Sequence, residues 1–347
     1  MTGILIRLRR AWQRRNQGVP PGPIVLLYHR VDELPTDPQA LCVAPARFAA
    51  HLEVLRNHCT PVSLQELVDG IVAGGLPPRA VALTFDDGYA DNLYKAKPLL
   101  ERYGIPATVF VTAGFVGGHR EFLWDELERL FLQPGALPQR LRLVLNGHSQ
   151  EWDLGRTVRY TPEMYHRHRR WTMLYRDAPT ARQELYRRVW LALRPLPSPE
   201  RLTVLDDLHA QVGMEAAVRP THQVMTAMEV RQLADGGLVE VGGHTLTHPM
   251  LSGLAESVQR TEIVSGKAHL EEILGHPVTS FSYPFGRKTD YTAATVRIIQ
   301  DAGFRLSCAN YPSAVRTGAD VFQLPRFLVR DCDGDEFARR LEGWFVS

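Results

Sequence analysis

Val81-Ala82-Leu83-Thr84-Phe85-Asp86-Asp87-Gly88 is an apolar run that ends abruptly on two carboxylates and a glycine. A short continuous apolar run suits a strand buried on both faces, with the acidic pair just past its C-terminal end. The same pattern recurs on either side. Runs at 24–28, 107–111, 238–242, 278–283, 304–309 and 324–329 are expected strands. Between them, amphipathic stretches at 45–57, 63–73, 91–103, 227–234, 255–274 and 290–302 are expected helices. Ser63 with Glu66 fits a capping box, and Gly104 and Gly303 stand where a helix end accepts a left-handed residue. Regular strand-helix alternation predicts an α/β fold with a parallel sheet.

From about 114 to 220 the alternation stops, and the chain becomes rich in Arg, Leu, Trp and Tyr with helical periodicity. We expect a single domain over 22–347 interrupted by this mostly helical insertion, with 150–154 and 158–160 forming a hairpin. The 347 residues, 44% of them hydrophobic, can bury a large core without covalent staples. Cys42, Cys59, Cys308 and Cys332 are widely spaced, which argues against a structural zinc cluster or a C-x-x-C redox motif. A net charge of +2 is far from the excess of a dedicated nucleic-acid binder, so no nucleic acid is expected as partner. The basic arm at 1–21 interleaves Arg7, Arg9, Arg10, Arg14 and Arg15 with Leu5, Ile6, Leu8 and Trp12. It suits a solvated helix or a peripheral membrane contact. With neither a secretory signal pattern nor a bilayer-spanning run, a cytoplasmic location is expected.

Active sites of parallel α/β barrels collect at the C-terminal ends of strands. There stand His29 after 24–28, Asp86 and Asp87 after 81–85, His244 and His248 after 238–242, and Pro284-Phe285-Gly286 after 278–283. Asp87, His244 and His248 make a one-oxygen, two-nitrogen set suited to Zn²⁺ or a similar divalent ion with positions left open. Such an ion activates water and polarises a carbonyl, which leaves Asp86 as a general base. Hydrolysis of an acyl group is the natural reaction.

Leu83-Thr84-Phe85-Asp86-Asp87-Gly88 and His244-Thr245-Leu246-Thr247-His248-Pro249 resemble the first two motifs of the polysaccharide deacetylases, the NodB-homology domain. The resemblance covers roughly 22–113 and 221–330. It implies a distorted (β/α) barrel, one divalent metal ion held by Asp87, His244 and His248, and Asp86 as catalytic base. The implied activity removes an N-acyl group, acetyl foremost, from an amino sugar in a polysaccharide or glycan precursor. Alternatives are a deformylase or deacetylase of a lipid-linked sugar, or a catalytically silent carbohydrate-binding relative.

The third family motif departs from its usual form. In Phe281-Ser282-Tyr283-Pro284-Phe285-Gly286, Ser282 occupies the place of the arginine that orients the base. Arg326, in Leu324-Pro325-Arg326, is the expected replacement, and the Phe285 N–H is an expected oxyanion donor. No histidine follows His276, so the late histidine that serves the family as general acid has no counterpart. Tyr28-His29 resembles a Tyr-His near the first strand of some members, which makes His29 the candidate for that role. Tyr89 and Asn92 are candidate substrate contacts, Asp91 a candidate helix cap, and Trp124 and Asp125 are candidates for the cleft wall or the core. His166 and His168, set among arginines, suit a solvated helix face better than a second metal site.

Overall fold

The computed structural model describes residues 22–145, 147–316 and 318–345. The basic arm at 1–21, and with it the expected membrane contact, lies outside the described residues. In chain order the barrel opens with β1 (Ile24–Tyr28), α1 (Pro45–His58), β2 (Thr60–Pro61), α2 (Leu64–Ala73), β3 (Ala80–Phe85), α3 (Lys97–Tyr103) and β4 (Ala107–Val111). The insertion follows with α4 (Leu123–Phe131), β5 (Gly135–Ala136), β6 (Arg140–Leu145), β7 (His148–Asp153) and β8 (Arg159–Tyr160). It continues through α5 (Pro162–His168), α6 (Ala181–Leu193) and α7 (Ser198–Val212). The barrel resumes with α8 (Ala227–Ala234), β9 (Val239–Gly243), α9 (Glu256–Leu274) and β10 (Ser280–Ser282). It ends with α10 (Ala293–Asp301), β11 (Leu306–Cys308), β12 (Phe327–Leu328) and α11 (Gly334–Trp344).

The main sheet is parallel throughout and runs β11-β10-β9-β4-β3-β1-β12, with the short β2 beside β3. A parallel bridge from Cys308 to Leu324, just ahead of β12, draws the two sheet edges together. The sheet is thus curled, with helices packed outside it, as a distorted (β/α) barrel requires. Every residue of β1, β3 and β4 is buried, which is why these strands are continuous apolar runs rather than alternating ones. The Ser63–Glu66 capping box is present, and Gly104 closes α3 in the left-handed region.

Two local expectations change. The helix expected over 91–103 begins as a π-helical turn over Asn92–Ala96, where Lys97 N–H bonds Asn92 O. Pro98 has no N–H to give the carbonyl four residues back, so the ladder widens before α3 settles into α geometry. The hairpin is formed by β6 and β7, with Leu145 opposite His148, while β8 pairs with β5. The two residues between Leu145 and His148 are Asn146-Gly147, a pair whose tolerance of positive φ makes it a strong hairpin signal.

The barrel and the insertion each have a hydrophobic core. The insertion's core gathers Leu127 and Phe131 from α4, Leu185 and Val189 from α6, and Leu205 and Leu208 from α7. Buried Arg182 ties this unit together by donating to the carbonyls of Phe131, Gln133, Gly135, Thr157 and Val158. Among the described residues no helix is long and apolar enough to cross a membrane.

Candidate active site

Asp86 and Asp87 leave the end of β3 in opposite directions because the backbone turns sharply there. Asp87 has φ 78° and Gly88 φ 86°. Gly88 is required twice over, since a Cβ would also come within about 3.0 Å of Val111. Asp86 N–H still donates to Tyr28 O (3.0 Å), which keeps the first carboxylate in register with the sheet.

Arg326 meets the Asp86 carboxylate side-on. Its Nη1 donates to Oδ1 (2.8 Å) and its Nη2 to Oδ2 (2.7 Å). The remaining N–H groups reach Thr84 Oγ1 (3.1 Å), Ser282 Oγ (2.8 Å) and Ala309 O (2.9 Å), so all five guanidinium donors are used. Ser282 thus occupies the position of an arginine and leaves its volume to Arg326, while its own hydroxyl donates to Asp86 Oδ2 (3.2 Å). Burial pushes the Asp86 carboxyl up, but Arg326, aided by His244, outweighs it and holds the pKa near 2.

Asp87 has no such partner. Both of its oxygens are buried without a hydrogen bond, and burial together with the neighbouring Asp86 pushes its pKa well above the usual carboxylate range. Facing it are His244 Nε2 (3.6 Å) and His248 Nε2 (3.5 Å). His244 is aimed by its Nδ1, 2.7 Å from Ser282 O. Burial holds both imidazoles below their ordinary pKa, which keeps their lone pairs available. One donor atom from each of the three residues lies within 4.8 Å of the others. Orphaned carboxylate oxygens opposite two neutral imidazoles fit a divalent cation.

The loop from His244 to His248 is held from both sides. Glu262 of α9 accepts from Leu246 N–H (3.1 Å), Thr247 N–H (2.8 Å) and Thr247 Oγ1 (2.6 Å). Arg201 of α7 donates to the carbonyls of Thr247 (2.9 Å) and His248 (3.3 Å). The His248 ring is enclosed by Trp124, Phe122 and Phe285 at centroid distances of 5.2, 5.7 and 4.8 Å. Neither Glu262 nor Arg201 carried a local sequence signal, since each is one charged residue on a helix.

His29, Asp86, Asp87, His244, His248 and Phe285 line one cleft of about 160 Å³. Burial lowers the His29 pKa to about 4 while Asp86 pulls the other way, and its Nδ1 is buried without a partner. Phe285 turns through φ 60°, and among the described residues its N–H has no hydrogen-bond acceptor. Tyr89 and Asn92 do not line the cleft. Tyr89 is fully buried, donating to Asp125 (2.5 Å) and accepting from Trp124 Nε1 (2.8 Å), and Asn92 donates to His29 O (2.9 Å). Both therefore sit behind the residues that line the cleft. Asp91 stands at a helix start but caps nothing; Arg30 Nε (2.9 Å) and Val31 N–H (2.9 Å) draw its carboxylate away. Trp124 joins the cleft wall, together with Gln39, Trp190, Arg194, Arg287 and Arg330, which sequence reasoning missed.

Residues 73–137 and 201–307 match the family model of the polysaccharide deacetylases. The chain belongs to the polysaccharide deacetylase family. The gap in the match falls inside the insertion. A curated relative named for the same family, YxkH of Bacillus subtilis (strain 168), is 27% identical over 150 residues, covering 41% of this chain. That match spans about half, 52%, of the relative's length. Among solved structures, the Streptococcus pyogenes deacetylase PplD, in complex with acetate, is 17% identical with a TM-score of 0.56. The match covers 93% of this chain and 99% of that one. IcaB from Ammonifex degensii is 20% identical with a TM-score of 0.57, covering 94% and 98%. At these identities the likeness speaks for the fold, and the deacetylase barrel is the fold observed.

Proposed function

We propose that this deacetylase-family chain is a metal-dependent hydrolase that removes an N-acyl group, acetyl foremost, from an amino sugar of a glycan. The observation that carries the reading is the division of labour between adjacent carboxylates. Asp86 is locked on Arg326 and kept ionised, whereas Asp87 is left bare opposite two neutral histidines. Asp87, His244 and His248 would hold the ion, Zn²⁺ foremost; when bound it supplies Lewis acidity to the acyl oxygen and makes water easier to deprotonate.

The chain's own groups account for the rest. Asp86 takes a proton from the attacking water as its oxygen bonds to the acyl carbon. The Phe285 N–H faces the oxygen that gains negative charge. As the carbon–nitrogen bond breaks, the proton taken from water by Asp86 is matched by one delivered to the nitrogen through His29, so that a free amine and a carboxylic acid, which ionises, leave and both residues return to their starting state. Negative charge growing on the acyl oxygen favours the protonated ring, so His29, held neutral by burial beforehand, takes up the proton that it then passes on. Release of acetate and formate from N-acylated amino sugars that are free, polymeric or lipid-linked tests the reading. The metal-loaded chain is compared with chelated protein and with Asp86→Asn. Metal-dependent release that disappears in the variant is expected; equal release by chelated or variant protein overturns the proposal.

A further inference from the structure

The cleft above the aspartates has a one-sided charge. Among the described residues its lining holds no carboxylate other than Asp86 and Asp87, yet Arg194, Arg287 and Arg330 all contribute to it. Both floor acids are accounted for, Asp86 by Arg326 and Asp87 by the cation set. The arginines are not equally engaged. Arg194 pairs with Asp290 (2.6 Å) and lays its guanidinium over Phe285 at 4.4 Å. Arg330 Nη1 donates to the carbonyls of Gln39 (3.1 Å) and Ala40 (2.7 Å), which fix its position, and Asp37 acts on it through space without an ion pair among the described residues. Arg287 is exposed, and among the described residues its side chain has no hydrogen bond or ion pair. Arg330 acts electrostatically on His29, whereas Arg287 follows Phe285 by two residues, so two guanidinium groups without an ion pair flank the reacting groups.

A neutral sugar needs hydroxyl partners and aromatic faces, and Gln39, Asn310, Trp124 and Trp190 already supply both in this cleft. Unpaired guanidinium groups add only mutual repulsion and a desolvation cost, unless the ligand brings negative charge. The guanidinium fork matches the two oxygens of a carboxylate or phosphate. We propose that the substrate is an anionic N-acylated saccharide whose carboxylate or phosphate is bound by Arg287 and Arg330. The proposal rests on the deacetylase reading for the reacting group and adds the charge of what carries it.

The test measures binding by calorimetry on the metal-loaded Asp86→Asn chain, which the deacetylase reading makes inactive, and acetate release on the metal-loaded native chain. Three ligands share an N-acetylglucosamine unit: a neutral chitin oligosaccharide, an oligosaccharide alternating with a uronic acid, and N-acetylglucosamine 1-phosphate. At least one anionic ligand should bind about tenfold or more tightly than the neutral one. Whether the uronic acid or the phosphate gains distinguishes the two sources of charge. That ratio should fall about tenfold in Arg287→Gln, survive in Arg330→Lys better than in Arg330→Gln, and shrink as salt is raised. Anionic ligands binding no more tightly than the neutral one overturn the proposal, as does a ratio unmoved by both glutamine variants. Absence of acetate release from every ligand would defeat the deacetylase reading instead, because the binding ratio is measured without turnover.

Discussion

Replacing Arg326 by Met removes the group around which the candidate base is built. In the native protein the guanidinium is 0% exposed and satisfies both oxygens of Asp86 as well as Thr84, Ser282 and Ala309. The variant strands a buried carboxylate, for which the cost of breaking a buried pair is about 3–5 kcal/mol, or roughly 4–7 °C in Tm for a chain of this size. It also removes what holds the Asp86 carboxyl near pH 2. The sign follows from linkage. A folded-state pKa depressed below the ordinary value near 4 gives stability that is present above about pH 4 and lost as pH falls toward about 2. In Arg326→Met burial prevails, the pKa rises, and that increment disappears. Because the base works ionised, the acid limb of kcat/KM must move toward neutral pH, with activity at its optimum down about 100-fold or more. Thermal unfolding and pH–rate profiles of Arg326→Met and of Arg326→Met/Asp86→Asn decide the matter. The double variant, with no stranded charge, should regain much of the lost Tm and none of the activity. A single variant melting within about 1 °C of the native protein, or a double variant no more stable than the single, would refute the account of Asp86 and Arg326 as one unit.

Four further outcomes follow from the same geometry. Ser282→Arg places a second guanidinium in space that Arg326 fills, so activity should collapse, whereas the exchange Ser282→Arg/Arg326→Ser should recover part of it; an active single variant would refute this packing argument. Zn²⁺ at about a thousand times its Kd should stabilise the fold by about 4 kcal/mol, and scanning calorimetry of His248→Ala should show that gain lost. His29→Gln should lower kcat about 100-fold or more with Zn²⁺ affinity unchanged, as titration of the metal would report; a matching loss of affinity would make His29 a ligand instead. Burial, opposed by Arg30 and the Tyr89 hydroxyl, raises the Asp125 carboxyl to about 7. An acid with a raised folded pKa loses stability as pH climbs from about 4 to that value. Asp125→Asn should therefore flatten the decline in Tm between pH 5 and 8, and an undiminished decline would assign it elsewhere.

Local chemistry made part of this legible from sequence. β1 and β4 occupy the expected residues because strands buried on both faces must be apolar without interruption, and turn residues bound them. The candidate metal set was legible because its three residues closely follow two predicted strands. Arg326 could be sought because Ser282 leaves Asp86 without its usual partner, although only the tertiary fold could say that the guanidinium arrives from a chain segment about 240 residues away. Direction was what sequence could not supply. Tyr89 and Asn92 are within six residues of Asp86, yet the left-handed turn at Asp87 and Gly88 sends them behind the cleft toward Asp125 and His29. Trp190 and Arg194 reach the cleft only through the packing of α6 in the insertion, which no spacing rule anticipates.

That turn belongs to a wider pattern of strain. Among the described residues, six other than glycine have positive φ, and Asp87, Thr245, His248 and Phe285 are four of them. Each such conformation costs on the order of 1–3 kcal/mol and persists only where its surroundings leave no alternative. The constraints are identifiable here: Glu262 takes the N–H groups of Leu246 and Thr247, Arg201 holds two carbonyls, and Thr245 Oγ1 accepts from His248 N–H (3.0 Å). None of these groups touches the cleft, yet without them the loop would relax and His248 Nε2 would leave Asp87. The strained backbone, the adjacent buried carboxylates and the neutral imidazoles all oppose folding, and a bound cation would relieve the last two. A site selected for stability alone would keep none of them, so their joint presence at the ends of three strands is a stronger argument for chemistry than any one motif.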